Sequence, residues 1–168
     1  MQTKEITLIA LLSASLTAGK LILSFVPNVE IVTLLLIVFT VSFGFKRTII
    51  TSIIFVTTEV LIYGFGTWIM GYYIIWPSLV LLTSLVMKMT RSEYAFSILS
   101  GFFGATFGLF FAIYESLFYG WSYAIPYWIR GIPFDIIHGV SNLIIVIVLF
   151  KPLMRTMEIA KQKMRLNE

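Results

Sequence analysis

Six apolar runs follow one another along the chain with very few residues between them. A helix that crosses a bilayer needs about 17 to 25 residues, so the second and fourth runs are short but workable. Linkers this short make neighbouring helices antiparallel and leave no room for a soluble insertion. The runs cover approximately residues 6–25, 29–45, 48–70, 72–87, 94–119 and 133–150.

Composition favours the same interpretation. The chain is 59% hydrophobic and only 12% charged, whereas a soluble domain is about half apolar and a quarter charged. Its 168 residues suffice for one compact bundle and no second domain. We therefore expect an all-α membrane protein, a six-transmembrane-helix bundle that forms a single domain over residues 1–168. The chain has no cysteine, which excludes disulfides and thiolate chemistry.

Charge placement predicts the orientation. If the six runs alternate across the membrane, only Lys20 and Arg130 fall on one side. The positive-inside rule then places both termini in the cytoplasm, with the chain as a multi-pass protein of the cell membrane. This placement explains the net charge of +4 without nucleic acid as a partner. The basic residues on the other side are Lys4, Lys46, Arg47, Lys88, Arg91, Lys151, Arg155, Lys161, Lys163 and Arg165.

A polar ladder, defined here as Asp135, His138 and Asn142, interrupts the last apolar run. Positions i, i+3 and i+7 share one face of a helix. Polar side chains at membrane depth are costly, so this face should meet a cavity or another helix. The helix dipole alone would account for Asp135, and a lone histidine is often a structural residue. We interpret the ladder as the wall of a binding pocket.

The first linker contains Pro27, Asn28 and Glu30 and has two interpretations. Pro27 ends the first helix, and Asn28 can cap the second, with Glu30 favourable in its first turn. Alternatively, Asn28 and Glu30 contact a ligand that arrives from outside.

Aromatic residues collect on the same predicted outer side. Trp76 lies near the start of the fourth run, and Trp121 opens segment 120–131, which also carries Arg130. We predict this segment to be an aromatic loop that serves as an interfacial lid. Interfacial aromatic residues commonly form a belt at headgroup level, and Trp76 could instead stack on a planar ligand.

Two carboxylates fall inside apolar runs. Glu59 is predicted near the bilayer midplane, and Glu115 near the outer end of the fifth run. A carboxylate in lipid must be protonated, paired or hydrated. A hydrogen bond to a neighbouring helix would satisfy Glu59, and Glu115 belongs to the polar outer half.

Small residues mark two helices. Ala10, Ala14 and Ala18 recur every four residues and form a smooth face on the first helix. That face could pack within this bundle or dock onto a separate membrane subunit. In the fifth run Gly101, Gly104 and Gly108 predict a close packing seam between helices.

Several kinds of chemistry are excluded. The chain lacks a P-loop, so it should not bind ATP itself. One histidine and no HExxH motif cannot build a multi-histidine metal centre. We therefore expect no metal, no cofactor and no catalytic residue in this chain. The predicted substrate-binding residues are Asn28, Glu30, Trp76, Glu115, Trp121, Arg130, Asp135, His138 and Asn142.

The whole chain resembles the substrate-binding S components of energy-coupling factor (ECF) transporters. The resemblance rests on six helices in fewer than two hundred residues and on four motifs. These are Ala10-x3-Ala14, Pro27-Asn28-Val29-Glu30, Tyr72…Trp76-Pro77 and Phe134-Asp135…His138…Asn142.

The resemblance implies capture of a B-group vitamin near the outer surface. It implies a scaffold membrane subunit as partner, which the alanine face meets, and two cytoplasmic ATPases that use ATP for uptake. The first-loop and last-helix motifs look most like the group associated with cobalamin, pyridoxine or hydroxymethylpyrimidine uptake.

Two other functions remain open. The chain could be a small intramembrane enzyme that uses His138 with Glu115 or Asp135 as acid and base. It could also be a self-contained channel or exchanger with Glu59 on the pathway.

Overall fold

The computed structural model describes residues 3–163, and this part of the chain is helical, without any strand. The predicted all-α class is confirmed for it. The helices are α1 (Thr3–Leu23), α2 (Val32–Phe43), α3 (Phe45–Tyr63), α4 (Thr67–Met89), α5 (Glu93–Ala105), α6 (Phe107–Tyr119) and α7 (Trp121–Lys163).

Helix boundaries differ from the predicted runs at several junctions. The third helix ends at Tyr63 rather than continuing to residue 70, because Gly64 takes a φ of +82° that a helix cannot contain. The fifth predicted run is split into α5 and α6, which meet at Thr106 with a bend of 43°.

The largest difference concerns segment 120–131. α7 begins at Trp121, directly after Gly120, and continues as one helix to Lys163. The prediction of an aromatic loop over 120–131, followed by a new helix at Pro133, was therefore wrong. The aromatic residues that indicated a loop are spaced four apart, so Tyr123 and Tyr127 stack along one helical face with ring centroids 5.8 Å apart.

Among residues 3–163, three helices (α1, α4 and α7) are long and apolar enough to cross a membrane, and the bent α5–α6 pair would make a fourth span if it crosses as one unit. α2 has only 12 residues, and α3 carries Lys46, Arg47 and Glu59. The described residues are thus compatible with a helical membrane protein. The count of six spans and the cytoplasmic termini stay predictions.

The core is built around α2. This helix is apolar on every side, and residues 32–40 are all buried. A helix without a polar face has to be surrounded, and α2 contacts α1, α3, α4, α5 and α7. The outer helices instead expose large apolar side chains such as Leu11, Leu61 and Leu117. Such exposure suits a lipid environment.

α5 and α6 together run antiparallel to α7 along most of its length. Phe96 of α5 stacks on Phe150 of α7, with ring centroids 5.2 Å apart, and Tyr119 of α6 meets Tyr123 at 5.1 Å. The predicted glycine seam is confirmed, because an added Cβ on Gly104 would lie 2.8 Å from the carbonyl oxygen of His138. The 43-residue α7 is roughly 65 Å long, about twice a bilayer core.

Two ion pairs connect helices on the side predicted to be cytoplasmic. Arg47 of α3 lies 3.1 Å from Glu5 of α1, and Lys151 of α7 lies 2.8 Å from Glu93 of α5. These contacts join α3 to α1 and α7 to α5. Arg165, which also belongs to the predicted basic side, lies outside the described residues.

Candidate binding cavity

A cavity of about 600 Å³ lies between α6, the first part of α7 and the linker that follows α1. Its walls are rich in aromatic side chains and include a few polar groups. This is the usual composition of a site for a small organic ligand, and the volume falls in the usual range. The lining residues are Asn28, Phe107, Gly108, Phe111, Ser122, Tyr123, Pro126, Tyr127, Trp128, Arg130, Gly131, Phe134 and Asp135.

Asp135 is the acidic residue of the cavity wall. The Gly108 N–H, in the first turn of α6, donates a hydrogen bond to Asp135 Oδ1 over 2.8 Å. The carboxylate therefore caps the positive end of the α6 dipole. Asp135 is only 8% exposed, and its Oδ2 is buried without a hydrogen-bond partner among the described residues.

Gly108 makes this arrangement possible. A Cβ at position 108 would lie 2.6 Å from each carboxylate oxygen of Asp135. Only glycine allows so close an approach. The prediction that Gly108 belongs to a helix-packing seam is therefore incomplete, because the side chain it accommodates belongs to the cavity wall.

The first linker is fastened to α7 beside the cavity. The Ser141 hydroxyl donates to the carbonyl oxygen of Asn28 (3.0 Å), and His138 Nε2 lies 3.4 Å from Glu30 Oε1. These two α7 residues are three positions apart and share a helix face. Asn28 lines the cavity, whereas Glu30 holds the linker through the histidine.

The expectation that Asn28 caps α2 was wrong. Asn28 takes a φ of +60°, in the left-handed region that asparagine tolerates better than most residues. The Thr33 N–H in the first turn of α2 donates instead to Glu30 Oε2, over 2.9 Å. Burial of Glu30 opposes its ionisation, but the hydrogen bond and charge of His138, together with Thr33, outweigh it and lower the Glu30 pKa.

The polar ladder meets three different environments. Asp135 lines the cavity, His138 pairs with Glu30 and packs edge-on against Phe107 at 5.0 Å, and Asn142 is 1% exposed. Asn142 Nδ2 is buried without a partner in the described part of the chain. Only the first member of the ladder reaches the cavity directly, and ligand contact by His138 and Asn142 stays a prediction.

Trp76 lies one layer behind the cavity. It is buried, so it does not belong to an interfacial belt, and its ring lies 5.7 Å from that of Phe107, which lines the cavity. Tyr72 lies 5.6 Å from Trp76 and 5.8 Å from Phe111. An aromatic cluster therefore backs the cavity wall, and Trp76 supports it from within.

The remaining predicted site residues are distributed unevenly. Arg130 lines the cavity, whereas Trp121 is 61% exposed at the start of α7. Glu115 is buried, and the Thr67 hydroxyl donates to it over 3.4 Å. The structure thus brings Asn28, Arg130 and Asp135 into one wall, with Glu30, Trp76 and His138 directly behind it.

Sequence reasoning missed the contribution of α6. Phe107 and Phe111 line the cavity, and their spacing of four residues places them on one helical face. That aromatic periodicity, which begins at Phe103, was a signal that would have identified them. The order of the residues alone could not show that this face of α6 packs against the start of α7.

The pairing of Lys20 with Glu59 was also missed. Their charged groups form a salt bridge between α1 and α3, and Glu59 is fully buried. The Lys20 ammonium group also lies over the rings of Tyr63, Trp68 and Tyr72, at 4.9, 5.6 and 5.1 Å. Such cation–π contacts stabilise a charge that has left water.

The contacts also bear on the other two functions. The enzyme alternative pairs His138 with Glu115 or Asp135. In the structure His138 hydrogen-bonds Glu30 instead, and Glu115 accepts a hydrogen bond from Thr67. Glu59, the residue proposed for an ion pathway, is held by Lys20.

The fold and the cavity together define an all-helical protein with membrane-compatible helices and an aromatic-lined site. Comparisons with protein-family models, with curated proteins and with solved structures gave no match for this chain.

Proposed function

We propose that the chain is the substrate-specific membrane subunit of an ECF-type transporter and captures a small ring-bearing micronutrient from outside the cell. The observation that carries this proposal is the aromatic cavity with the buried carboxylate of Asp135 in its wall. Flat aromatic walls bind planar rings by stacking. A few fixed polar groups then orient the ring.

Cavity size supports the smaller members of the vitamin group. A volume of about 600 Å³ accommodates a pyridoxine- or hydroxymethylpyrimidine-sized molecule with room for water. Cobalamin, with its corrin ring and nucleotide arm, needs a larger space. We therefore favour a single-ring solute as the substrate.

The surface of α1 supports association with a scaffold subunit. Ala10, Ala14 and Ala18 are all exposed on the outside of the bundle. Their small side chains do not pack within this chain, so another transmembrane helix can approach closely there. Two ATPases attached to the scaffold would supply the energy for uptake.

Binding by the isolated chain tests the proposal. Purified protein should release a small ring compound that mass spectrometry identifies, and it should bind that compound again. Replacing Tyr127, which lines the cavity, by alanine should weaken binding about 10- to 100-fold, because an aromatic contact is lost. Tyr119→Ala is the matched control, since Tyr119 is an exposed tyrosine that does not line the cavity.

Two results would contradict the proposal. One is a protein that binds no member of a panel of B-group vitamins and their precursors. The other is turnover of a lipid, or ion flux through liposomes, by this chain alone.

A further inference from the structure

A second pocket, called the inner pocket here, lies where α2 passes into α3 and where α4 ends. It has a volume of about 310 Å³, and its lining includes Gly44, Phe45, Ser84, Lys88 and Arg91. It shares no lining residue with the aromatic cavity. Because α2 runs from the first linker to Gly44, the inner pocket lies at the other end of that helix, on the side predicted to be cytoplasmic.

Two cationic side chains line the inner pocket without an acidic partner. Neither Lys88 nor Arg91 forms a salt bridge within residues 3–163, and no acidic residue lines the pocket there. Glu93, the acidic residue nearest to Arg91 along the chain, is paired with Lys151 at 2.8 Å. Lys88 stabilises the last turn of α4 through the helix dipole. This role accounts for Lys88, whereas Arg91 lies beyond the end of α4.

The inner pocket also has free hydrogen-bond donors beside it. α3 begins at Phe45, which lines the pocket, and no side chain of the described residues caps this helix end. The N–H groups of a first helical turn have no partner within their own helix, and they attract anions. Ser84 adds a buried hydroxyl that has no hydrogen-bond partner in the described part of the chain. Two cations with free donors and no acidic residue make the composition of an anion site.

An exposed apolar surface leads along α4 to the inner pocket. Leu81, Leu85 and Lys88 are spaced i, i+4 and i+7, so they share one helix face, and the two leucines are 49% and 46% exposed. α4 is apolar enough to cross a membrane, and Lys88 lies in its last turn. A phospholipid has the same order, with acyl chains in the bilayer core and a phosphate group at its surface. This order favours a membrane lipid over a small soluble phosphate.

We propose that the inner pocket binds the phosphate group of an anionic phospholipid, with Lys88 and Arg91 as its cationic contacts and the acyl chains along Leu81 and Leu85. Arginine and lysine bind phosphate oxygens through charge-assisted hydrogen bonds. A lipid with a net negative charge is attracted by both cations, whereas phosphatidylcholine carries a cation of its own that they repel. The site is independent of which solute the aromatic cavity binds.

Thermal unfolding of the purified full chain in a neutral detergent measures this binding. A ligand of the folded state raises the unfolding temperature, and the dependence on its concentration gives an apparent Kd. The probes are phosphatidylglycerol, phosphatidylcholine and glycerol 3-phosphate, which has the phosphate group without acyl chains. We expect phosphatidylglycerol alone to raise the unfolding temperature.

Two double variants with the same change of charge locate the site. Lys88→Gln with Arg91→Gln removes the cations of the inner pocket. Arg155→Gln with Lys163→Gln removes one arginine and one lysine from exposed positions of α7 outside it. We expect the first to weaken phosphatidylglycerol binding about 10- to 30-fold, since each basic contact is lost, and the second to change it little. Each variant is compared with its own lipid-free unfolding temperature, which separates lost binding from lost stability.

Equal weakening by both double variants would overturn the inference, because it would show only a general attraction of acidic lipid to basic residues. Equal stabilisation by phosphatidylcholine and phosphatidylglycerol would overturn it as well. If glycerol 3-phosphate stabilises as strongly as phosphatidylglycerol and the Lys88 and Arg91 variant abolishes this effect, the phosphate contacts stand and the lipid as their source is overturned. No stabilisation by any probe, as expected if the pocket binds an acidic side chain of another protein, overturns the whole inference.

Discussion

Gly108 has no side chain, and this allows the carboxylate of Asp135 to bind the backbone of α6. The missing Cβ lets the Asp135 carboxylate reach the first turn of α6, and the resulting bond fixes the position of a residue of the cavity wall. His138 has a comparable relation to Glu30, because their contact holds the first linker against α7. In both cases a buried polar group is stabilised by a partner from a distant part of the sequence.

Gly108→Ala tests the first relation. The added methyl group would overlap both oxygens of Asp135, so the carboxylate must move and the cap of α6 weakens. We expect the free energy of unfolding in detergent to fall by about 1–3 kcal/mol. The matched control is Gly131→Ala, where an added Cβ meets nothing within 4 Å and a helical alanine gains up to about 1 kcal/mol. Equal effects of the two substitutions would argue against a steric role for Gly108.

Glu30 predicts a specific sensitivity to acid. Its pKa is lowered in the folded protein, so the folded state binds its proton less readily than the unfolded chain does. The stability that follows is complete above the ordinary glutamate pKa of 4.5 and is lost as the pH falls through the lower folded value.

Thermal unfolding measured between pH 7 and pH 3 provides the check. Glu30→Gln should lose stability less steeply below pH 4.5 than the natural protein does. Glu158→Gln is the control, because Glu158 is an exposed carboxylate on α7. Identical acid slopes for the natural protein and Glu30→Gln would refute the role of the His138 contact.

The helices owe their arrangement to a small number of close contacts. α5 and α7 approach through Gly104 and Gly139, and an added Cβ on Gly139 would lie 2.9 Å from the backbone oxygen of Gly101. Above this seam α6 bends away by 43° at Thr106. Because Asp135 caps α6 directly after the bend, the break between α5 and α6 creates the helix N-terminus that the cavity wall uses.

α1 is fastened to the bundle mainly through α3. Arg47 holds one end of α1 through Glu5, and Lys20 holds the other through Glu59. Removing one member of a buried pair leaves an uncompensated charge, which costs about 3–5 kcal/mol. We expect Lys20→Met to destabilise the protein by this order of magnitude, measured by unfolding in detergent.

The double variant Lys20→Met with Glu59→Gln provides the control. It removes the stranded charge and should recover most of the lost stability. If the stability lost in the double variant equals the sum of the losses in Lys20→Met and in Glu59→Gln, the pair does not couple α1 to α3.

Within residues 3–163, the aromatic cavity lies toward one end of the bundle, together with Lys20 and Arg130, and the other ion-paired basic residues lie toward the opposite end. The cavity, the first linker and the Gly120 turn lie together at one end of the bundle. The Glu5–Arg47 and Glu93–Lys151 pairs both lie toward the other end. This distribution fits a bundle that captures a solute from outside and has its basic rim on the cytoplasmic side.

Single cysteines test that orientation, since the chain contains none of its own. Ser24 and Ser122 lie at the predicted outer end and Ser92 at the inner end, and all three are exposed. A membrane-impermeant maleimide should label Ser24→Cys and Ser122→Cys in intact cells. Ser92→Cys should react only after permeabilisation. Labelling of Ser92→Cys in intact cells would contradict cytoplasmic termini.

The alanine face predicts a separation of binding from transport. Ala14→Trp should bind the solute normally but fail to copurify with the scaffold subunit, because the bulky ring prevents close approach of the partner helix. Ile147→Trp, on an exposed position of α7, is the control. Normal assembly of the Ala14→Trp protein would place the docking surface elsewhere.

The amino-acid order was sufficient to predict the all-helical class and the glycine seam, because these depend on local periodicity and on the small residues that let helices approach closely. It misled at segment 120–131, where aromatic residues and prolines are typical of a loop. There the stacking of tyrosines four positions apart, and packing against α6, favoured a continuous helix.

Tertiary structure alone decided which polar groups meet. The approach of α6 to α7 joined Gly108 to Asp135 and brought Phe107 and Phe111 into the cavity wall. The fold of the first linker paired His138 with Glu30. Such contacts span up to 113 positions of sequence. Local sequence preferences do not predict them, because they form only when whole helices pack.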